Sequence, residues 1–201
     1  YDPAKARFND GRCDSAGRFW AGTMWEPRDR AGGIVYRLDA DGRFGAQCNP
    51  VIIANGITFA PDGRSMTLAD TTNHVLWAFD YDLVTGIPSS RRELRSYEPA
   101  SGRPDGACVD AEGNVYVAIM AGGRVEKISP TGELLAVIEL PIPNITCCTF
   151  AGDDLRTLYI TTARTRMTDA ELAAHPYAGG LFAWRLPDGD APGIIEPRYA
   201  G

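Results

Sequence analysis

Several features are missing from this 201-residue sequence, and each absence excludes a class of protein. No apolar run reaches the length of about 18 residues that a membrane-spanning helix needs, so no membrane partner is predicted. The 26 acidic residues outnumber the 20 basic ones, and no basic stripe occurs, which argues against nucleic acid as the main partner. The phosphate-binding loop, the G-x-G-x-x-G dinucleotide motif and the G-x-S-x-G hydrolase motif are also absent.

The two histidines and five cysteines show none of the clustered spacings of a zinc site. The cysteine count is odd, and Cys147 and Cys148 are adjacent, which suits no ordinary disulfide framework. We therefore expect reduced thiols and a cytoplasmic protein. His74 lies at a predicted strand start and His175 lies before a proline. Neither has a plausible set of ligands nearby, and no catalytic role is predicted for either.

What the sequence does contain is a repeated polar residue that stands before a glycine at a strand start. It occurs at Asp10, Asn55 and Asp105, and Thr146 before Cys147 is a weaker fourth copy. The spacing of roughly 40–50 residues is typical of propeller blades. Short β-rich segments bounded by Gly, Pro, Asn and Asp separate the copies. We predict an all-β protein, a β-propeller with about four blades in residues 1–201.

Each repeat is expected to hold four antiparallel strands. An inner strand follows the polar residue, a second strand follows an Asp/Gly turn, and a third usually follows a Gly-Gly pair. The fourth strand would run into the next repeat, as at residues 50–54 and 134–140. A capping box formed by Thr168 and Glu171 predicts one short helix, which Pro176 ends.

The inner strands of a propeller line one central channel, so equivalent residues should face each other around its axis. We therefore expect Asp10, Asn55 and Asp105 to converge there, with Thr146 in the fourth blade. The same residues could instead serve only as turn formers. A ring of oxygen donors suits a divalent cation such as Ca²⁺, Mg²⁺ or Mn²⁺. Arg7 would add a positive charge at the same mouth, able to hold an anionic or hydroxylated ligand.

The motifs, taken in order, resemble those of the gluconolactonase/regucalcin (senescence marker protein) family, and bacterial sugar lactonases look closest. The resemblance is carried by the Arg-Phe-Asn-Asp-Gly motif at residues 7–11, by residues 14–24, 55–56, 104–106 and 158–164. It implies a six-bladed propeller in full-length members, with about two blades before the motif at residues 7–11. Residues 1–201 would then be a single domain, the C-terminal two-thirds of a propeller.

The resemblance also implies one divalent metal ion in the channel, drawn from Ca²⁺, Zn²⁺, Mn²⁺, Mg²⁺ and Fe²⁺. Its ligands here would be Asn55 and Asp105, whereas the first-blade Glu that completes the set in the family has no counterpart in this sequence. Arg7 and Asn9 would contact the substrate, and Glu26 would contribute to the same role.

The leading functional hypothesis is a metal-dependent hydrolase that opens sugar lactones (aldonolactones) to sugar acids. The metal would polarise the lactone carbonyl, and Asp105 would take a proton from the attacking water as the catalytic base. Arg7 and Asn9 would orient the sugar. A calcium-binding regulatory propeller with little catalysis is one alternative, and a phosphotriesterase-like hydrolase on the same fold is another. The expected partner in the leading case is a small-molecule sugar lactone.

Overall fold

The computed structural model describes residues 2–48 and 50–201, which form fifteen strands in four antiparallel sheets. Blade 1 contains β1 (Ala6–Cys13), β2 (Phe19–Trp25), β3 (Val35–Leu38) and β4 (Phe44–Ala46). Blade 2 contains β5 (Ala54–Phe59), β6 (Ser65–Asp70), β7 (Val75–Asp82) and β8 (Ile87–Ser96). Blade 3 contains β9 (Arg103–Val109), β10 (Val115–Met120), β11 (Arg124–Ile128) and β12 (Leu134–Glu139). Blade 4 contains β13 (Ile145–Ala151), β14 (Thr157–Thr162) and β15 (Leu181–Arg185). The predicted all-β propeller with four blades is confirmed.

In the described part of the chain, two short helices lie outside the sheets. A 3-10 helix (Pro99–Ser101) precedes β9, and α1 (Asp169–Ala174) lies between β14 and β15. The Thr168 hydroxyl accepts a hydrogen bond from the Glu171 N–H, and the Glu171 carboxylate accepts one from the Thr168 N–H. The predicted capping box is therefore present. Neither helix has the length and apolar character needed to cross a membrane.

The prediction of a fourth strand at residues 50–54 is wrong for blade 1. The fourth strand is β4, which pairs with β3, and β5 already begins at Ala54. Val51 and Ile53 form only isolated bridges, to Gly33 and Met24. Both side chains are buried, so this apolar run reflects contact with the core rather than membership of a sheet. In blade 3 the predicted fourth strand is confirmed as β12.

The core consists of apolar layers between successive blades. Side chains alternate between the two faces of a strand, so each inner strand packs against both neighbouring sheets. Between blades 1 and 2 the fully buried Trp20 contacts Phe59 and Tyr81, with ring centroids 5.5 and 5.8 Å away. These layers fix the position of each inner strand relative to the next.

A buried carboxylate reinforces the contact between blades 1 and 2. Asp14, in the turn between β1 and β2, is fully buried and accepts hydrogen bonds from Arg18 Nε at 2.7 Å, Trp20 Nε1 at 3.1 Å and the Tyr81 hydroxyl at 2.5 Å. Burial alone would raise the pKa of Asp14, but the hydrogen bonds from Tyr81, Arg18 and Trp20 outweigh it and lower that pKa. The ionised form of Asp14 is therefore the form that stabilises the fold.

Replacing Asp14 by Asn is expected to lower the free energy of unfolding by about 2–4 kcal/mol at neutral pH, because Arg18 loses its buried partner. The pKa of Asp14 is lower in the folded chain than in the unfolded chain. Its contribution is therefore complete above the unfolded value of about 4 and is lost as pH falls through the folded value. Urea unfolding of both proteins between about pH 3 and pH 7 should show a difference that shrinks in acid.

Asp62→Asn provides the matched control for this prediction. Asp62 occupies the turn between β5 and β6, where its exposed carboxylate accepts a hydrogen bond from the Arg64 N–H. Its replacement should change stability by less than about 1 kcal/mol. A loss in Asp14→Asn that stayed constant down to the lowest pH would contradict the assigned direction of the pKa shift.

Candidate active site in the central channel

All four inner strands carry a β-bulge at or next to the repeated polar residue. The pairing register shifts between Phe8 and Asp10 in β1, Asn55 and Thr58 in β5, Pro104 and Ala107 in β9, and Ile145 and Cys147 in β13. A bulge bends the strand and re-aims a side chain, and bulges often lie next to active sites. The repeat seen in the sequence is therefore a repeated local distortion of the inner strands.

The glycines that follow Asn55 and Asp105 allow neighbouring inner strands to touch. A Cβ atom at Gly56 would lie 2.9 Å from the Asp105 carbonyl oxygen, and Gly56 also has a φ of +53°. A Cβ atom at Gly106 would lie 2.5 Å from the Cys147 sulfur. No larger residue fits at either position without displacing the adjacent strand. The resulting close approach brings the Asn55 and Asp105 side chains to the same place.

A cavity of about 260 Å³ lies where the inner strands of the four blades meet. Its polar and charged lining consists of Arg7, Asn9, Arg28, Asn55, Thr71, Thr72, Arg103, Asp105, Thr146, Thr165 and Arg166. Met24, Ile53, Met120 and Ala163 complete it. The structure thus brings together four of the five predicted site residues, and Thr146 of the fourth blade joins them.

A chain of hydrogen bonds crosses three blades at the floor of the cavity. Asn9 Nδ2 donates to Asn55 Oδ1 at 2.7 Å and to the Ala54 carbonyl at 2.9 Å. Asn55 Nδ2 donates to the Thr71 hydroxyl at 2.8 Å, which in turn donates to the Pro104 carbonyl at 2.8 Å. Because Asn55 is buried, these bonds fix its amide, and Oδ1 keeps one lone pair for another ligand.

Asp105 supplies the only carboxylate among the described residues that line the cavity. Burial raises its pKa to about 7, and the nearby negative charge of Asp10 adds to this, while the Gly106 N–H and the Arg103 guanidinium oppose the shift. Within the described residues, no side chain donates a hydrogen bond to the carboxylate. An oxygen ligand that is desolvated and lacks a close positive partner favours binding of a cation.

Asp10 does not converge on the cavity, so this part of the ring prediction is wrong. Its carboxylate accepts hydrogen bonds from the Gly11 N–H at 2.8 Å and the Ile57 N–H at 3.0 Å. It therefore ties β1 to the backbone of β5. The bulge in β1 turns Asn9 to the cavity instead.

Glu26 is not among the residues that line the cavity. Its carboxylate accepts a hydrogen bond from Arg7 Nε at 2.5 Å, and both side chains are exposed. The pair lies at the rim, and Arg7 of this pair reaches the cavity lining. A direct substrate contact by Glu26 stays a prediction.

Sequence reasoning missed Thr71 and three cavity arginines, Arg28, Arg103 and Arg166. Arg28 and Arg166 lie in the loops that follow β2 and β14, and Thr71 directly follows β6. These cavity residues could have been sought in the loop that follows the second strand of each repeat. Such loops open at the same end of the channel as the polar residues of the inner strands.

Comparisons with known proteins show the family of the chain. The sequence profile of the SMP-30/gluconolactonase/LRE-like region matches residues 1–164. The chain belongs to this family. It is 46% identical to the 6-deoxy-6-sulfogluconolactonase of Pseudomonas putida over 197 residues, which cover 98% of the chain and 66% of that relative. It is 38% identical to human regucalcin over 206 residues, with 100% of the chain and 68% of that protein covered.

The fold of this chain is similar to a solved structure from Agrobacterium tumefaciens, that of a calcium-binding protein, regucalcin. The TM-score between the two is 0.91. The identity is 30%, and the alignment covers 98% of this chain and 66% of the solved one. The chain thus spans about two thirds of the length of the relatives that it matches.

Replacing Thr71 by Val should cost about 1–3 kcal/mol of stability, because it leaves Asn55 Nδ2 and the Pro104 carbonyl without their buried partner. It should also weaken the binding of a divalent cation at the predicted site of Asn55 and Asp105, because the Asn55 amide then keeps only its hydrogen bond from Asn9. Chemical denaturation and titration calorimetry with Ca²⁺ or Mn²⁺ measure the two effects.

Thr72→Val is the matched control, because Thr72 lines the same cavity but makes no side-chain hydrogen bond to the described residues. It should change stability by less than about 0.5 kcal/mol. Equal losses in the two variants would show that the hydrogen-bond chain does not hold Asn55.

Proposed function

We propose that the protein is a metal-dependent lactonase that opens sugar lactones (aldonolactones) to the corresponding sugar acids. The observation that carries this proposal is the cavity in which the Asp105 carboxylate, which receives no side-chain hydrogen bond from the described residues, lies with the Asn55 amide, Arg7 and Asn9. A carboxylate without a side-chain partner is available to hold a cation and to take a proton from water. The cavity is close in size to the smallest ligand pockets, which have volumes of about 300 Å³. The lactonase name of the Pseudomonas putida relative supports the same class of reaction.

The residues present fit a divalent cation as a partial ligand set. Asn55 Oδ1 and the Asp105 carboxylate would hold it, and both are hard oxygen donors of the kind that Ca²⁺, Mg²⁺ and Mn²⁺ prefer. Among residues 2–48 and 50–201, no group of three or more His, Cys, Asp and Glu side chains comes together, so further ligands must come from other groups. When bound, such an ion supplies Lewis-acid polarisation of the lactone carbonyl.

The side chains of this chain would perform the remaining tasks. Asp105 takes a proton from a water molecule, whose oxygen attacks the lactone carbonyl carbon. The bond between that carbon and the ring oxygen then breaks, and the ring oxygen leaves as a hydroxyl after it receives the proton that Asp105 took from the water. Asn9 has committed its Nδ2 to Asn55 and Ala54, so its Oδ1 is available to accept from a sugar hydroxyl.

Arg7 and Glu26 would contribute a donor and an acceptor at the rim. The ion pair uses Arg7 Nε, which leaves the terminal guanidinium nitrogens to donate to sugar oxygens. This arrangement gives Glu26 a positioning role even though it does not line the cavity. Cytoplasmic localisation is part of the proposal, and the five cysteines, which are free thiols in the structure, support it.

A calcium-binding propeller with little catalysis is the second candidate. The similarity to the calcium-binding regucalcin of Agrobacterium tumefaciens favours it, because the same oxygen donors would serve a structural cation. The two candidates differ in turnover and share cation binding. An assay must therefore measure both quantities.

The proposal predicts that the full-length protein releases acid from aldonolactones in a pH-stat, above the spontaneous rate, and that EDTA abolishes this activity. Adding back divalent metals should restore it. Asp105→Asn should lower kcat/KM by about a hundredfold to ten-thousandfold, because the catalytic base is lost.

Asp154→Asn is the control for the charge change, since Asp154 is exposed, pairs with Arg185 and lies outside the cavity. Unchanged turnover in Asp105→Asn would contradict the assignment of Asp105 as the general base. Calcium binding in calorimetry without any acid release from the panel would favour the second candidate.

A further inference from the structure

Three arginines from three different blades meet in the cavity. Arg28 follows β2, Arg103 begins β9, and Arg166 lies between β14 and α1. Burial lowers the pKa of Arg28, and the positive charges of Arg166 and Arg103 lower it further, although Glu26 opposes them. The Arg28 guanidinium therefore lies close enough to those of Arg166, Arg103 and Arg7 to be repelled by them.

These guanidinium groups lack counter-ions in the described part of the chain, where none of them forms an ion pair or donates a side-chain hydrogen bond. Elsewhere many arginines are matched to carboxylates, as in the ion pairs of Arg18 with Asp14, Arg95 with Glu126, and Arg185 with Asp154. Glu26, the nearest rim carboxylate, is already paired with Arg7. Unmatched positive charge is thus concentrated in one cavity of a chain whose net charge is −6.

The backbone gives a second, independent indication. Arg28 and Arg166 have φ values of +57° and +64°, a region where glycine would carry no strain. His74 and Ala121 adopt a similar φ after the second strands of blades 2 and 3, so this loop form belongs to the fold. Of these four residues, Arg28 in blade 1 and Arg166 in blade 4 line the cavity, whereas His74 and Ala121 do not.

The chemistry of the guanidinium group identifies the ligand class. Its planar fork of donors matches the oxygens of sulfonate, phosphate and carboxylate groups, and such charge-assisted bonds are the strong ones. A neutral sugar hydroxyl would leave the mutual repulsion of the three cations uncompensated. An anionic group removes that repulsion when it binds.

The position of the cluster decides which end of the ligand it would hold. Asn55 is 6% exposed and Asp105 is half-buried, whereas Arg166, in the loop after β14, is exposed. The carbonyl that reacts at Asp105 must enter first. An anionic group bound by the arginines then lies at the opposite end of the sugar.

We propose that the lactone opened at this site carries a sulfonate, phosphate or carboxylate group at the end remote from its carbonyl, and that Arg28, Arg103 and Arg166 bind this group. The inference rests on the proposed lactonase function and deepens it by naming the substrate class. It makes the three arginines specificity-determining residues of the same cavity.

The test compares four hexonolactones that differ only at C6, which carries a hydroxyl, a sulfonate, a phosphate or a carboxylate. The pH-stat gives kcat/KM for each with the full-length, metal-loaded protein. We expect at least one charged lactone to exceed the neutral one by tenfold or more, mainly through KM, and the three charged arms identify the group. In Arg28→Gln and Arg166→Gln this preference should fall about ten- to a hundredfold, the loss expected for a charge-assisted hydrogen bond.

Arg164→Gln is the matched control. Arg164 lies two positions before Arg166 in the same loop, is exposed and does not line the cavity. Its replacement removes the same charge and should leave both activity and preference unchanged. An equal loss of preference in Arg164→Gln would show general electrostatic attraction instead of a binding site and would overturn the proposal.

The failures of the two hypotheses are distinguishable. If the neutral lactone is opened as well as every charged one, the anion site is wrong and the lactonase proposal stands. If no lactone is opened, the lactonase proposal is wrong, and titration calorimetry with the C6-sulfonated and C6-phosphorylated aldonates tests the arginines directly. Binding that is lost in Arg28→Gln and Arg166→Gln and kept in Arg164→Gln supports the site, and no binding to the wild type overturns it.

Discussion

The direct contact between neighbouring inner strands at Gly56 and Gly106 is the constraint on which the site depends. A Cβ atom at either position would collide with the next strand, at the Asp105 carbonyl or the Cys147 sulfur. Because the strands touch, the bulged residues that precede these glycines lie side by side. The apolar layers between the blades press the strands together, and the glycines permit the final approach. The local backbone and the core packing therefore together determine where the Asn55 and Asp105 side chains lie.

Two neighbouring aspartates illustrate how hydrogen bonding divides structural from chemical roles. Asp10 accepts two backbone N–H groups and holds β1 against β5. Asp105 receives no comparable support from side chains, and burial together with the charge of Asp10 raises its pKa to about 7. The satisfied carboxylate serves the fold. Asp105, which has only the Gly106 N–H beside it, keeps lone pairs that a base or a cation ligand needs.

The sequence contains enough information to predict the propeller, the repeated inner-strand position and four residues of one cavity. These predictions succeed because each repeat contains its own turn-forming residues, and because the motifs occur in the same order along the chain as in the family that it resembles. The register of the bulge in β1 is not visible in the residues alone, so only the family resemblance favours Asn9 over Asp10 as the substrate contact before the backbone is known. The apolar residues 50–54 resemble a strand because burial, not sheet pairing, selects them. Arg28, Arg103 and Arg166 are far apart in sequence, and only the closure of the blades brings them together.

The cavity contains two charge imbalances of opposite sign, and they do not cancel. Arg103 lowers the pKa of Asp105 somewhat, yet burial and Asp10 still hold that pKa near 7, so the arginines do not neutralise the base. The arginines in turn lack carboxylate partners and repel one another. One neutral ligand would correct neither imbalance. A cation beside Asn55 and Asp105, together with a substrate that carries its negative charge at the far end, corrects both. Under the proposed function, this polarity would orient the substrate with its reacting carbonyl at Asn55 and Asp105 and its anionic group at the exposed Arg166.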